Sequence, residues 1–130
     1  MIVVDASAIL EVLLQTPAGG RIGKRLFAAP EALHAPHLLD LEVAQGLRRY
    51  SLTGDLSPER GLQALEYLAD FPIRRHPHGP FLPRIWELRH NVTAYDAAYL
   101  ALAEALNAPL LTRDKSLASA SGHTAKVEII

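Results

Sequence analysis

The chain has no cysteine, a single methionine and a single tryptophan in 130 residues. Without thiols it can make neither a disulfide nor a thiolate metal site, so a bound metal has to be held by oxygen or imidazole. No apolar run approaches the roughly 18 residues needed to cross a bilayer, and the first residues carry no basic leader. Neither sign of charge dominates: the formal net charge is −1, which by itself argues for no polyanionic partner. Apolar residues make up 49% and charged residues 21%, which favours a folded chain over a disordered one. The expectation is one cytoplasmic domain covering residues 1–130, without repeats or low-complexity segments.

The opening stretch sets the problem. Ile2, Val3 and Val4 run without a polar residue into Asp5, after which Ile9, Leu10, Leu13 and Leu14 recur at helical spacing. A short, wholly apolar run reads as a strand covered on both faces, as in a parallel sheet. Asp5 then sits at the carboxyl end of a buried strand, where open α/β sheets bind ligands and where an acid is costly to desolvate unless something compensates it.

Strand and helix signals alternate over the rest of the chain. A helix follows Asp5 over 6–14, with Ser7 able to cap it or to turn its hydroxyl toward whatever Asp5 holds. Thr16-Pro17 starts a second helix that runs to about Phe27. Leu33 to Ala35 reads as a strand ended by Pro36. The next helix carries Leu39, Val43, Leu47 and Tyr50 as its apolar stripe, and Gly54 stops it. Ser57-Pro58-Glu59 opens another, with Leu62, Leu65, Leu68 and Ala69 as the expected buried face. Ile73 to Arg75 is a short strand, 76–80 a loop, and a short helix includes Ile85, Trp86 and Leu88. Thr93 and Asp96 have capping-box spacing ahead of a strong helix. Pro109 to Thr112 is a buried strand with Asp114 after it, 115–120 a last short helix, and Lys126 to Ile130 a strand at the sheet edge. The pattern implies a three-layer α/β/α sandwich around a mainly parallel sheet of about five strands.

Each acid on its own has an ordinary reading. Asp5, Asp96 and Asp114 suit helix caps, and Glu42 is a common helix former. Together they differ. In a parallel sheet the carboxyl ends of strands and the starts of the following helices share one edge, so Asp5, Glu42, Asp96 and Asp114 can meet in one cleft. Carboxylates that close raise one another's pKa unless cations neutralise them. Hard divalent ions with oxygen ligands, Mg²⁺ or Mn²⁺, answer that need and can polarise a phosphoryl oxygen and activate water. With four carboxylates assigned to a metal, ten acids remain against 13 Lys and Arg, a mildly basic body compatible with RNA.

The segments Asp5-Ala-Ser7-Ala, Glu42-Val-Ala-Gln-Gly-Leu-Arg48-Arg49, Thr93-Ala-Tyr-Asp96-Ala-Ala-Tyr and Leu111-Thr112-Arg-Asp114 resemble the motifs of PIN-domain ribonucleases, and more narrowly VapC-type toxins of toxin–antitoxin pairs. The resemblance runs in order over nearly the whole chain. It implies an endoribonuclease that hydrolyses RNA phosphodiester bonds with Mg²⁺ or Mn²⁺. Asp5, Glu42, Asp96 and Asp114 are then the catalytic and metal-binding acids, with Ser7 and Thr112 in support. It further implies a homodimer neutralised by a cognate antitoxin. Gln45 departs from the pattern, standing where asparagine is common.

Arg48, Arg49 and Arg89 are candidate phosphate contacts, while Phe81, Trp86 and Tyr95 are expected in the core or at an interface. The six histidines lack metal-ligand spacing; His76 and His78 merely flank Pro77. Two other phosphate-handling classes begin with an acid after the first strand. The dehalogenase-like phosphatases need Asp-x-Asp, and Ser7 stands at that second place. Receiver domains need an aspartate after the third strand and a lysine after the fifth, which the chain does not place. The alternative of another kind is a catalytically silent PIN-like protein or RNA-interaction module, in which the same acids only cap helices.

Overall fold

Ile2, Val3 and Val4 have no solvent exposure at all, and they form the central strand, β1 (Ile2–Val4), of the computed structural model, which describes residues 1–130. Parallel neighbours flank β1 on both sides: β2 (Leu33–Pro36), pairing Ile2 with Leu33, and β4 (Leu110–Thr112), pairing Val3 with Leu110. β3 (Ile73–His76) adds beside β2, and β5 (Val127–Ile129) beside β4. The order is β3-β2-β1-β4-β5, every pair parallel.

Parallel neighbours require crossovers, and the helices supply them. α1 (Ala6–Leu13) and α2 (Pro17–Phe27) link β1 to β2, and α3 (Leu38–Leu52) and α4 (Pro58–Asp70) link β2 to β3. These four pack on one another. The chain then reverses direction across the sheet. A 3₁₀ turn (Gly79–Phe81), α5 (Leu82–Glu87) and α6 (Ala94–Leu106) lead to β4, with α6 crossing β1, β2 and β4. α7 (Lys115–Ser119) leads to β5. Right-handed crossovers put the two groups on opposite faces, which gives the expected three layers. Strand order reverses beside β1, so the switch point lies between β1 and β4, the place where such sheets open a crevice.

Local signals set most boundaries. Thr16 and Ser57 cap α2 and α4, accepting from the Gly19 and Arg60 amides at 3.0 and 3.2 Å, and Pro17 and Pro58 follow at the first helical position. Asn107 closes α6 with φ +48°, a left-handed residue that ends the helix. On the far side, Glu104 takes the forked guanidinium of Arg84 at 2.9 Å and the Thr124 amide at 2.8 Å, fastening α5, α6 and the 120s loop together. Arg84 holds the Glu104 carboxyl down at about 2.

Some details differ from expectation. Of the two candidate caps of α1, Asp5 is the one that serves, and Ser7 turns its hydroxyl to Asp5. On α4, Leu62, Leu65 and Ala69 face solvent while Ala64 and Leu68 are buried, because α4 packs on α1 and α3 through the line that lets its small alanine approach closely. On α3 the stripe ends at Leu47, and Tyr50 is exposed. The strand read as ending before Pro36 includes it, and β3 extends one residue further than expected, to His76.

The α1–α2 contact leaves no room for a side chain at Gly19, where a Cβ would lie 2.1 Å from the Glu11 carbonyl oxygen, whereas Gly20 faces open space. Gly19→Ala is expected to destabilise the fold by about 1–3 kcal/mol. Gly20→Ala, one residue along the same helix, is expected to stabilise it by about 0.5–1 kcal/mol. Urea unfolding midpoints measure both.

Candidate metal-binding active site

Asp5 is 8% exposed, and its carboxylate is tied on both oxygens. Oδ1 accepts the Ser7 hydroxyl at 2.7 Å and the Ala8 amide at 3.1 Å, and Oδ2 accepts the Thr112 hydroxyl. The Ser7 oxygen in turn accepts the Arg113 amide at 3.0 Å, and Thr112 accepts the Asp114 amide at 3.0 Å. Two hydroxyls, those of Ser7 and Thr112, thus join the end of β1 to the end of β4.

Asp5, Glu42, Asp96 and Asp114 line one pocket of about 280 Å³ at the carboxyl edge of the sheet, together with Ser7, Gln45, Arg49 and Tyr99. Each acid arrives by a separate route. Glu42 projects from the second turn of α3. Asp96 lies in the first turn of α6, positioned by the Thr93 hydroxyl, which accepts its amide at 3.1 Å. Asp114 caps α7 through the Ser116 amide at 2.9 Å and still faces the pocket, so the capping and functional readings of these acids are compatible. Gln45, the departure from the family pattern, also faces the pocket.

Tyr99 escaped the sequence reading. It lies one turn beyond Asp96 on α6, is buried, and donates its hydroxyl to Glu42 Oε1 at 2.7 Å, joining the two helix layers over the edge of the sheet. The spacing from Asp96 was the available signal. Burial and the adjacent Glu42 push the phenol far above its ordinary value, so Tyr99 is a neutral donor.

The carboxyls are under electrostatic pressure. Burial, offset by the Thr112, Ser7 and Ala8 hydrogen bonds, raises Asp5, and Asp114 adds to the rise. Burial raises Glu42 against the Tyr99 bond, with Asp5 and Asp96 adding repulsion. Burial, Asp114 and Asp5 raise Asp96 against its contact with Thr93. No three His, Asp or Glu side chains form a ready-made cage for one ion. The donor set fits Mg²⁺ or Mn²⁺ all the same, since Mg²⁺ characteristically takes one or two carboxylates and keeps several waters. It does not fit zinc, which favours imidazole and thiolate, because no histidine lines the pocket.

The three arginines separate. Arg49 lines the acid pocket, Arg48 an apolar basin beyond Glu42, and Arg89 a polar basin beyond Asp96. Of the aromatic residues, Phe81 packs against the core as expected, while Trp86 and Tyr95 are 68% and 62% exposed. The histidines are less scattered than the sequence suggests. Strand register brings His34 Nδ1 within 2.8 Å of His76 Nε2, and His78 Nε2 accepts the Leu38 amide at 3.0 Å. His34 is buried and its Nε2 has no partner.

A parallel sheet with four acids at its switch point is the architecture of a PIN domain, and the PIN domain family model matches residues 2–122. The chain belongs to the PIN-domain family and, within it, stands among VapC ribonucleases. It is 42% identical to Ribonuclease VapC12 of Mycobacterium tuberculosis over 130 residues, covering 100% of this chain and 99% of that one. It is 43% identical to Ribonuclease VapC1 of the same species over 129 residues, 98% and 96% of the two chains. Two solved structures share the fold. PAE2754 from Pyrobaculum aerophilum has a TM-score of 0.74 at 20% identity, covering 97% of this chain and 81% of that one. VapBC2 from Rickettsia felis, bound to a DNA fragment from its promoter, has a TM-score of 0.73 at 14% identity, covering 99% and 98%.

A carboxyl raised by folding binds protons more readily in the folded state. Its ionisation therefore costs stability as pH rises through its folded pKa, and that stability returns below it. Asp96→Asn removes one such ionisation. In chelator at pH 7 this variant is expected to melt above the parent protein, with the gap closing as the pH falls through the raised carboxylate range. Differential scanning calorimetry across acidic pH measures it.

Proposed function

We propose that the protein is a divalent-metal-dependent endoribonuclease acting as the toxin of a toxin–antitoxin pair. The observation that carries this reading is the convergence of four acids from four separate segments on one pocket at the switch point, in a chain whose relatives are named ribonucleases. An antitoxin partner is supported by the likeness in fold to VapBC2, a toxin–antitoxin complex. A homodimer follows the same family reasoning. No helix is long and apolar enough to cross a membrane, which agrees with action on RNA in the cytoplasm.

Asp5, Glu42, Asp96 and Asp114 would hold Mg²⁺ or Mn²⁺, which when bound supplies Lewis acidity toward a phosphoryl oxygen and lowers the pKa of water. The protein's own groups do the rest. Ser7, Thr112 and the Ala8 amide fix the Asp5 carboxylate in one orientation, and Tyr99 does the same for Glu42. Arg49 places a cation at the pocket wall, where a phosphate can be held for in-line attack.

Purified protein with single-stranded RNA and Mg²⁺ or Mn²⁺ is expected to cut the RNA, and chelator to stop it. Asp5→Asn and Asp96→Asn are each expected to lower the rate more than about a hundredfold. Cleavage by both variants at the parent's rate would sink the reading. Tyr99→Phe keeps the ring and removes only the donor to Glu42. It is expected to weaken Mn²⁺ binding by about tenfold, read directly from the free-ion signal in electron paramagnetic resonance, with an unchanged circular dichroism spectrum.

A further inference from the structure

Two basins of similar size open from the acid pocket, and they differ in chemistry. The one past Glu42, about 540 Å³, is mainly apolar, walled by Leu38, Leu41, Ala44 and Tyr95, with Arg48 and Gln45 as its polar residues besides Glu42. The one past Asp96, about 570 Å³, presents Arg89, His90, Asn91, Thr93 and Ser116. Asp96 lines both the acid pocket and this polar basin, so the two adjoin at its side chain. An RNA strand whose scissile phosphate lies among the acids must leave the pocket by some path, and each further phosphate on that path needs donors and positive charge.

Arg89 is already held for that task. Its guanidinium carbon lies 4.7 Å from the centroid of the Trp86 ring, and Nη1 donates to the Trp86 carbonyl at 3.0 Å. It has no carboxylate partner among the ion pairs of the structure. A guanidinium stacked on an indole loses less freedom on meeting a phosphate than a mobile one, and its remaining N–H groups stay available. The indole, the chain's single tryptophan, is 68% exposed and carries Arg89 on its ring. Asn91 is fixed in turn by donating to the Ser121 hydroxyl at 2.9 Å.

We propose that the basin beyond Asp96 binds the ribose-phosphate chain next to the scissile bond, with Arg89 as a phosphate contact and Trp86 as the residue that positions it. This rests on the ribonuclease reading and adds the exit path of the substrate. Contacts of this kind carry no base information, so the site accepts single-stranded RNA irrespective of sequence.

The single tryptophan makes the test direct. The Asp5→Asn protein, in Mg²⁺, is titrated with an oligouridylate of about ten nucleotides, following Trp86 emission and the anisotropy of a labelled strand. Emission is expected to change saturably along with anisotropy. Adding Arg89→Gln is expected to weaken binding by about tenfold and to reduce the slope of log affinity against log salt by about 0.7. Lys126→Gln, in a basin that shares no residue with the acid pocket, is expected to change neither. Unchanged affinity and salt slope with Arg89→Gln would overturn the proposal, as would RNA binding that leaves Trp86 emission untouched. Emission that shifts with protein concentration alone, without RNA, would also overturn it, by showing Trp86 to be a contact between two copies. The two readings fail separately. A parent protein that cuts RNA while Arg89→Gln binds normally loses only the basin; one that binds RNA through Arg89 yet cuts nothing loses only the nuclease.

Discussion

Burying an ionisable acid at the end of the central strand is the constraint on which the rest of the structure depends. Asp5 must follow β1 directly, and β1 is shielded on both faces, so the carboxylate cannot be solvated from the strand side. Three donors compensate it: the Ser7 and Thr112 hydroxyls and the Ala8 amide. Each comes from a place that the sheet topology alone can bring there. Ser7 and Ala8 arrive because α1 starts at once, and Thr112 because β4 is the parallel neighbour of β1. Hydrogen bonds reduce the desolvation cost without removing it, and the repulsion of the other acids is added to it. The site is thereby kept short of positive charge, and that shortage is what gives a divalent cation its advantage there.

The same logic separates the two halves of the molecule. The Arg84–Glu104 fork, with Thr124 closing on it, satisfies a carboxylate with a fixed guanidinium and serves structure. At the opposite edge of the sheet the four pocket acids have hydroxyl and amide partners but no ion pair. Arg49 stands at the pocket wall without an ion pair to any acid. A paired carboxylate holds the fold, whereas an underpaired one is available to a ligand.

Where sequence reasoning succeeded, the physics was local or periodic. The apolar run at β1, the Thr-Pro and Ser-Pro helix starts and the strand–helix alternation each leave a mark on neighbouring residues, and they sufficed for the parallel sheet and for the convergence of the acids. It failed where two apolar stripes competed. On α4 the leucines at 62 and 65 looked as burial-worthy as Leu68, and only the close approach permitted by Ala64 decided between them. Tyr99 was missed because its partner, Glu42, is 57 positions away on another helix. The histidines looked scattered because β2 and β3 bring His34 and His76 together across 42 positions. Contacts made through sheet register leave no local trace.

The position of β1 also governs the order in which the molecule becomes competent. β1 precedes the other four strands, yet Asp5 meets Thr112, 107 positions further along the chain. A nascent chain can assemble β3-β2-β1 early, with Asp5 and Glu42 in hand, but it lacks Asp114 and the hydroxyl that completes the Asp5 site until β4 has been made. Until then the open edge of β1 is also unpaired, a surface prone to wrong association. The four-acid pocket is therefore incomplete until β4 and Asp114 have joined the sheet, an order set by the sequence of strands alone.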